Sequence, residues 1–228
     1  MIAAIVILVL AAGSFYFFPM LTMSPTETGQ IGNTGIYSAK NAINSVFFIK
    51  TNNGWIMIDA GSNINMLEAA LRQFSINTKD VKWILLTHSD SDHTTALTLF
   101  PNAEIYMSED EFPLINGSVK RNSFSANSMP SGVRTDKIIP LKNNQELVFE
   151  GTNVRCIKTP GHTPGSMSYL FDSRYLFTGD AFRFSNGKIT VHPFTMDSDL
   201  AKKTAEQLKE TINSSLIVLS AHYGLLNK

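Results

Sequence analysis

Cysteine is nearly absent from this 228-residue chain. Its one cysteine, Cys156, cannot form an intramolecular disulfide, so no such bridge supports the fold. Cys156 lies in Val154-Arg155-Cys156-Ile157, which reads as a strand and makes it a small core residue rather than a reactive thiol. Net charge is absent too: Lys plus Arg and Asp plus Glu both number 19. That balance, with no run of like charges, removes the electrostatic argument for a nucleic-acid partner. No repeat of fixed period occurs, which excludes a repeat array. Apolar residues make up 43% and charged residues 17%, a mixture able to bury a core. The length suits one sizeable domain and is too short for two large ones.

Charge is also missing from residues 2–23, and residues 2–12 are wholly aliphatic. About 20 apolar residues can span a bilayer as a helix. A cleaved signal peptide competes with that reading, with Ala11-Ala12-Gly13 as its small-residue cleavage site. No Lys or Arg precedes the run, so the usual orientation cue is missing. The apolar character continues through Phe15-Tyr16-Phe17-Phe18, past that site, which favours an uncleaved anchor. The expectation is therefore a membrane anchor or signal segment over residues 1–23 and a second unit over 24–228. The second unit is expected outside the cytoplasm, or secreted if the signal is cleaved.

Residues 24–34 read as a Ser/Thr/Gly/Pro linker. Two β-rich runs, 45–50 and 55–59, flank the turn Thr51-Asn52-Asn53-Gly54 and predict a hairpin. Met66, Leu67, Ala70, Leu71 and Phe74 recur at helical spacing within 63–74. Residues 81–87 read as a largely buried strand ending at His88, with a short helix from Thr94 and a strand over 103–107. Residues 113–135 are the least regular part and read as a plain surface loop, with a lid over a site as the alternative. Further strands are predicted over 137–140, 146–149, 153–158, 166–171, 175–178 and 215–220. Asp197 is placed to cap a helix over 198–212. Runs of strands with helices between some of them suggest two sheets with helices outside, an α/β layered sandwich.

Four of the five histidines follow predicted strands, at the rim where sites usually lie. Thr87-His88-Ser89-Asp90-Ser91-Asp92-His93 packs two imidazoles and two carboxylates into one segment, a density that suits zinc, iron or manganese. Without a metal the same segment would be a polar loop capping a helix. In Thr159-Pro160-Gly161-His162-Thr163-Pro164-Gly165, two Pro-Gly steps hold one His in a rigid turn, as a structural element or a ligand. Thr178-Gly179-Asp180 offers an acid after an apolar strand, and Ser220-Ala221-His222 a last His after another. Each is weak alone, and their order makes them strong together.

In that order, the chain resembles the metallo-β-lactamase superfamily. Its marks are a His-x-His-x-Asp-His motif, a Pro-Gly-His turn, a Gly-Asp and a final His at a strand end. The match covers most of residues 45–224, and the segment from Thr159 to Asp180 is especially similar to the glyoxalase II and lactone-hydrolase branch. The resemblance implies a four-layer αββα sandwich with metals at one edge between the sheets. It implies one ion held by His88, Asp90 and His162, another by Asp92, His93 and His222, and Asp180 bridging them. Asp59 matches an aspartate that supports the ligands in this family, or is a turn-forming acid.

Two departures from the pattern carry weight. The family's second His is Asp90 here. A third carboxylate beside Asp92 and Asp180 leaves less positive charge at the site, which implies a higher pKa for bound water. It also implies a drift from zinc, the first expectation, towards manganese or iron. Second, the antibiotic-hydrolysing subclass with a Cys ligand carries it where Asp180 stands, which argues against that role. The implied activity is hydrolysis of a small ester, thioester, lactone or amide by a hydroxide shared between two divalent ions, with Asp92 orienting it. The expected partners are a small-molecule substrate and, through the N-terminal segment, the membrane. The competing class is a membrane-tethered metal-binding accessory or sensor protein with little catalysis. His192, in Val191-His192-Pro193-Phe194, has no match in the motif and is expected to be structural or on the surface.

Overall fold

The computed structural model describes residues 20–121, 129–185, 188–212 and 215–227. The expected anchor or signal segment falls mostly on residues 1–19, outside the described residues. Among the described residues, no helix is long and apolar enough to cross a membrane.

Two sheets form the body. The first runs β1 (Gly29–Gln30), β2 (Ile36–Asn41), β3 (Asn44–Thr51), β4 (Gly54–Ile58), β5 (Val81–Leu85), β6 (Glu104–Ser108) and β7 (Ile139–Leu141), in that spatial order. It is antiparallel up to β4 and parallel from β4 to β7. The hairpin is the predicted one, with Thr51 paired to Gly54 across Asn52-Asn53. The second sheet comprises β8 (Glu146–Phe149), β9 (Thr152–Lys158), β10 (Met167–Phe171), β11 (Tyr175–Gly179), β14 (Ile217–Ser220) and β15 (Leu225–Asn227). Its one parallel pair is β11 with β14. A separate ribbon pairs β12 (Arg183–Ser185) with β13 (Lys188–Thr190).

The layers follow from the burial pattern. Phe47, Ile58 and Leu85 of the first sheet meet Cys156, Tyr169 and Phe177 of the second in one core, with Phe47 and Phe177 rings 5.2 Å apart. Each such large apolar side chain contributes about 1.5–3 kcal/mol on burial. Helix α1 (Ile64–Phe74) lays Leu67, Ala70 and Leu71 on the outer face of the first sheet, with Asn63 capping Met66 N at 3.0 Å. Helix α4 (Ser198–Thr211) packs Leu208 against the outer face of the second, and Asp197 accepts from Asp199 N and Leu200 N as a cap. Helix, sheet, sheet, helix is the expected four-layer sandwich. Cys156 is fully buried, and burial pushes its thiol up to about 12, which fits the inert core role.

Some predicted boundaries move. The helix expected from Thr94 starts earlier: α2 spans Ser91–Thr94, and a 3-10 turn follows over Thr95–Leu99. Residues 24–34 are not purely linker, since Gly29–Gln30 pairs with β2. The strand β2 was not predicted, because its buried positions include Ser38 and Asn41 and mask the apolar alternation. Within 113–135, residues 122–128 lie outside the described residues, and α3 (Phe112–Ile115) enters the segment.

Candidate metal centre

The site lies where several strands end on one side of the sandwich. Asp59 follows β4, His88 follows β5, His162 follows β9, Asp180 follows β11 and His222 follows β14. Asp90, Asp92 and His93 lie on the loop and first turn of α2, where the His93 N–H donates to Asp90 O at 2.9 Å. Two glycines make the convergence possible. Gly179 has φ +51, and a Cβ there would lie 2.5 Å from Thr87 Oγ1, so only glycine lets Asp180 approach the β5 end. Gly161 has φ +135 and rests on the backbone of Ala201, holding the His162 turn against α4.

All seven predicted ligands come together. His88 Nε2 lies 3.5 Å from Asp90 Oδ2 and 4.0 Å from Asp180 Oδ2. His162 Nε2 lies 3.2 Å from Asp90 and 3.4 Å from Asp180. On the other side, His93 Nε2 lies 3.5 Å from Asp92 and 3.6 Å from Asp180, and His222 Nε2 lies 3.4 Å and 3.2 Å from the same pair. Asp180 is thus the shared carboxylate between two donor sets. Three groups are spaced to hold an ion: His88, His162 and Asp180; Asp92, His93 and His222; and Asp180, His192 and His222.

The far nitrogens are fixed. His93 Nδ1 donates to Asp59 Oδ2 at 2.8 Å, and His222 Nδ1 donates to Ile43 O at 2.7 Å. His88 Nδ1 pairs with Thr87 Oγ1 at 3.0 Å, and that hydroxyl donates in turn to Asp59 at 2.9 Å. These bonds turn the Nε2 atoms of His88, His93 and His222 inward, as metal-ligating imidazoles require. Asp59 therefore holds the His93 ring and, through Thr87, the His88 ring, rather than simply closing a turn. It does so in a left-handed conformation, φ 59, that costs energy for a non-glycine residue and clusters at functional sites.

The residues fit a divalent ion. Buried His88 Nε2, His93 Nε2 and Asp180 Oδ1 have no hydrogen-bond partner among the described residues, a costly state that a metal would relieve. Electrostatics agree. Burial pushes the Asp180 carboxyl up, yet His222, His192, His93 and His162 hold it well below the usual carboxylate range. Asp90 is likewise held low against burial, by His162 and His88. Burial pushes His93 down, but Asp92, Asp59 and Asp180 raise it well above its ordinary value. His222, opposed by burial and raised by Asp180 and Asp92, reaches about 10.

Three residues escaped the sequence reading. His192 is not on the surface: it is 3% exposed, with its ring 4.8 Å from that of His162 and Nε2 3.6 Å from Asp180 Oδ2. A fifth His in a chain this poor in histidine was the available signal. Glu111 is fully buried and accepts from Ser89 N, Ser89 Oγ, Thr163 Oγ1 and Gly165 N, tying the His88 loop to the His162 turn. Nothing in its local sequence, Glu109-Asp110-Glu111, marks it out from its neighbours. Arg121 comes from the segment preferred as a plain surface loop, yet its side chain is 3% exposed and forks onto Asp90, with Nε 2.9 Å from Oδ1 and Nη2 2.8 Å from Oδ2. The signal for it was Asp90 itself: a buried extra carboxylate needs a cation.

A cavity of about 200 Å³ opens onto these groups. Asp92, His192 and His222 are among its polar lining residues, and Met20, Met23 and Phe194 among its apolar ones.

Comparison with known proteins gives the same reading. A profile described as the metallo-beta-lactamase superfamily matches residues 40–222. A probable metallo-hydrolase of Streptococcus pyogenes is 30% identical over 206 residues, 82% of this chain and 80% of its own. A probable polyketide biosynthesis zinc-dependent hydrolase of Bacillus subtilis is 30% identical over 128 residues, 55% of this chain. The matched region spans about half of that relative, 48%. Among solved structures, a subclass B3 metallo-beta-lactamase of Bradyrhizobium japonicum superposes with a TM-score of 0.67 at 23% identity, covering 88% of this chain and 79% of its own. An archaeal superfamily protein of Sulfolobus tokodaii gives 0.60 at 24% identity, over 85% and 82%. At these identities the structural likeness speaks for the fold alone.

Proposed function

The chain belongs to the metallo-β-lactamase superfamily, and from that premise we propose that it is a metal-dependent hydrolase of a small ester, thioester, lactone or amide with an apolar acyl part. One observation carries the reading: two donor sets share Asp180, the far nitrogens of His88, His93 and His222 are fixed, and buried Nε2 of His88 and of His93 has no hydrogen-bond partner among the described residues. Asp92, His93, His222 and Asp180 would hold a divalent ion, zinc first among the choices, which would supply an activated water and polarise a substrate carbonyl.

The chain's own residues do the rest. Asp92 is the accessible carboxylate of the set, with a side chain 22% exposed against 4% for Asp180, so it meets incoming water and orients it. His192 Nδ1 accepts the Phe194 N–H at 3.4 Å, which leaves the proton on Nε2. That N–H has no hydrogen-bond partner among the described residues, and His192 lines the cavity, which supports a role in donating to a substrate oxygen as negative charge develops. The methionines and Phe194 that line the cavity favour an apolar acyl group, and the cavity size favours a small one.

The test is a panel of esters, thioesters, lactones and amides of graded acyl length, given to metal-loaded full-length protein. Turnover that favours short apolar acyl groups supports the reading. Tight metal binding without turnover on any member would favour the tethered accessory or sensor role instead.

We also propose that residues 1–23 tether the enzyme to a membrane with the hydrolytic domain outside the cytoplasm. The uncharged apolar run supports this. Extraction by alkaline carbonate, or protease resistance in intact spheroplasts, would refute it.

A further inference from the structure

Asp90 already has a cation. The Arg121 guanidinium grips it with Nε at 2.9 Å from Oδ1 and Nη2 at 2.8 Å from Oδ2, the two-pronged geometry that arginine makes with carboxylates. The same Nη2 lies 3.0 Å from His162 Nε2 and donates to Phe194 O at 2.9 Å. So one nitrogen of Arg121 engages two of the three residues expected to hold the first ion. Both partners are buried, with side chains 3% exposed for Arg121 and 2% for Asp90. The second donor set, Asp92, His93 and His222, has no such occupant: among the described residues, no Lys or Arg forms an ion pair with Asp92, whose partners are His93 and His222.

We propose that Arg121 takes the place of one metal ion, so that the centre holds a single divalent ion on the Asp92, His93, His222 and Asp180 side. The inference rests on the metal-hydrolase reading above and concerns how many ions that site takes. Asp90 Oδ2 and Phe194 O can only accept, and they take the two Nη2 protons; Nη2 also sits 3.0 Å from His162 Nε2, in the space an ion shared by that nitrogen and Asp90 would need, and Asp90 is neutralised before any ion arrives. Charge points the same way. One divalent ion, one guanidinium and the carboxylates of Asp90, Asp92 and Asp180 cancel. A second ion beside Arg121 would leave an uncompensated double positive charge in a buried site, where like charges repel strongly. Asp90 in place of the usual His then has a purpose: it is the anchor for a built-in cation, and not a harder ligand for a second ion.

The experiment is metal stoichiometry, by elemental analysis and by calorimetric titration of zinc into metal-free full-length protein. The wild type should bind one zinc per chain, and Arg121→Lys, which keeps the cation, should bind one as well. Arg121→Met, which frees Asp90 and His162, should bind twice as much. Two zinc ions on the wild type, or one on a folded Arg121→Met, would overturn the proposal while leaving the hydrolase reading intact. No zinc on any of the three would overturn both. The wild-type count stands even if Arg121→Met does not fold.

Discussion

Replacing Asp59 by Asn tests whether the site is set from behind. Asp59 accepts from Thr87 N at 2.8 Å, from Thr87 Oγ1 at 2.9 Å and from His93 Nδ1 at 2.8 Å. Asn keeps the shape and tolerates φ 59 better than most residues. It cannot accept at both positions, because one oxygen becomes an NH2 donor. If the amide oxygen stays on Thr87, the NH2 faces His93 Nδ1 and moves the ring proton to Nε2, the atom needed for the metal. Supporting partners of this kind are worth about 10–100-fold in metal affinity, or about 1.4–2.8 kcal/mol. The assay is a zinc dissociation constant by competition with a chromophoric chelator, alongside near-UV circular dichroism to show that the fold persists. A folded Asp59→Asn variant with wild-type zinc affinity would refute the claim that Asp59 sets the His93 tautomer.

Glu111→Ala leaves the donors on Ser89, Thr163 and Gly165 unpaired in a buried pocket, and should cost about 3 kcal/mol or more in urea unfolding of the metal-free protein; a loss within about 1 kcal/mol would contradict the tie it is argued to make. Metal uptake should release protons, because His93 and His222 hold theirs well above their ordinary range. In the metal-free protein, the stability from these raised groups is fully present below pH 6.5 and is lost as pH rises, through about 10 for His222; zinc binding should accordingly release about two protons at pH 7 and weaken as pH falls, as read by calorimetry in buffers of different ionisation enthalpy. His192→Ala should lower kcat by about 100-fold or more with zinc content unchanged, the range for removing one oxyanion donor; an unchanged kcat would return His192 to a structural role.

Much of the fold was legible because its elements obey simple periods. The Asn52-Asn53 hairpin, the helix behind Asn63 and the helix behind Asp197 carry both their apolar spacing and their stop or cap signals in the local sequence. The strand β2 did not, since Ser38 and Asn41 are buried for their hydrogen bonds: Asn41 Oδ1 accepts from Ser62 N and Asn63 N, a contact between distant segments. The cluster of candidate ligands was legible for a different reason. Each follows a strand and keeps its order along the chain, so local segments and their sequence were enough. What supports the ligands was not legible. Glu111 and Arg121 act across the fold, on Thr163 and on Asp90, and no local pattern distinguishes them from ordinary surface charges. Only the charge of Asp90 hinted that a counter-cation was needed.

The most direct measurement for the central claim is metal-titrated hydrolysis. Protein stripped by a chelator is mixed with rising zinc and assayed on whichever thioester, lactone or ester in the panel turns over fastest. The account predicts no turnover without metal, a rise in proportion to zinc bound, and loss of both activity and zinc in His93→Ala. Hydrolysis that persists in the stripped protein, or that ignores added metal while zinc binds, would contradict it.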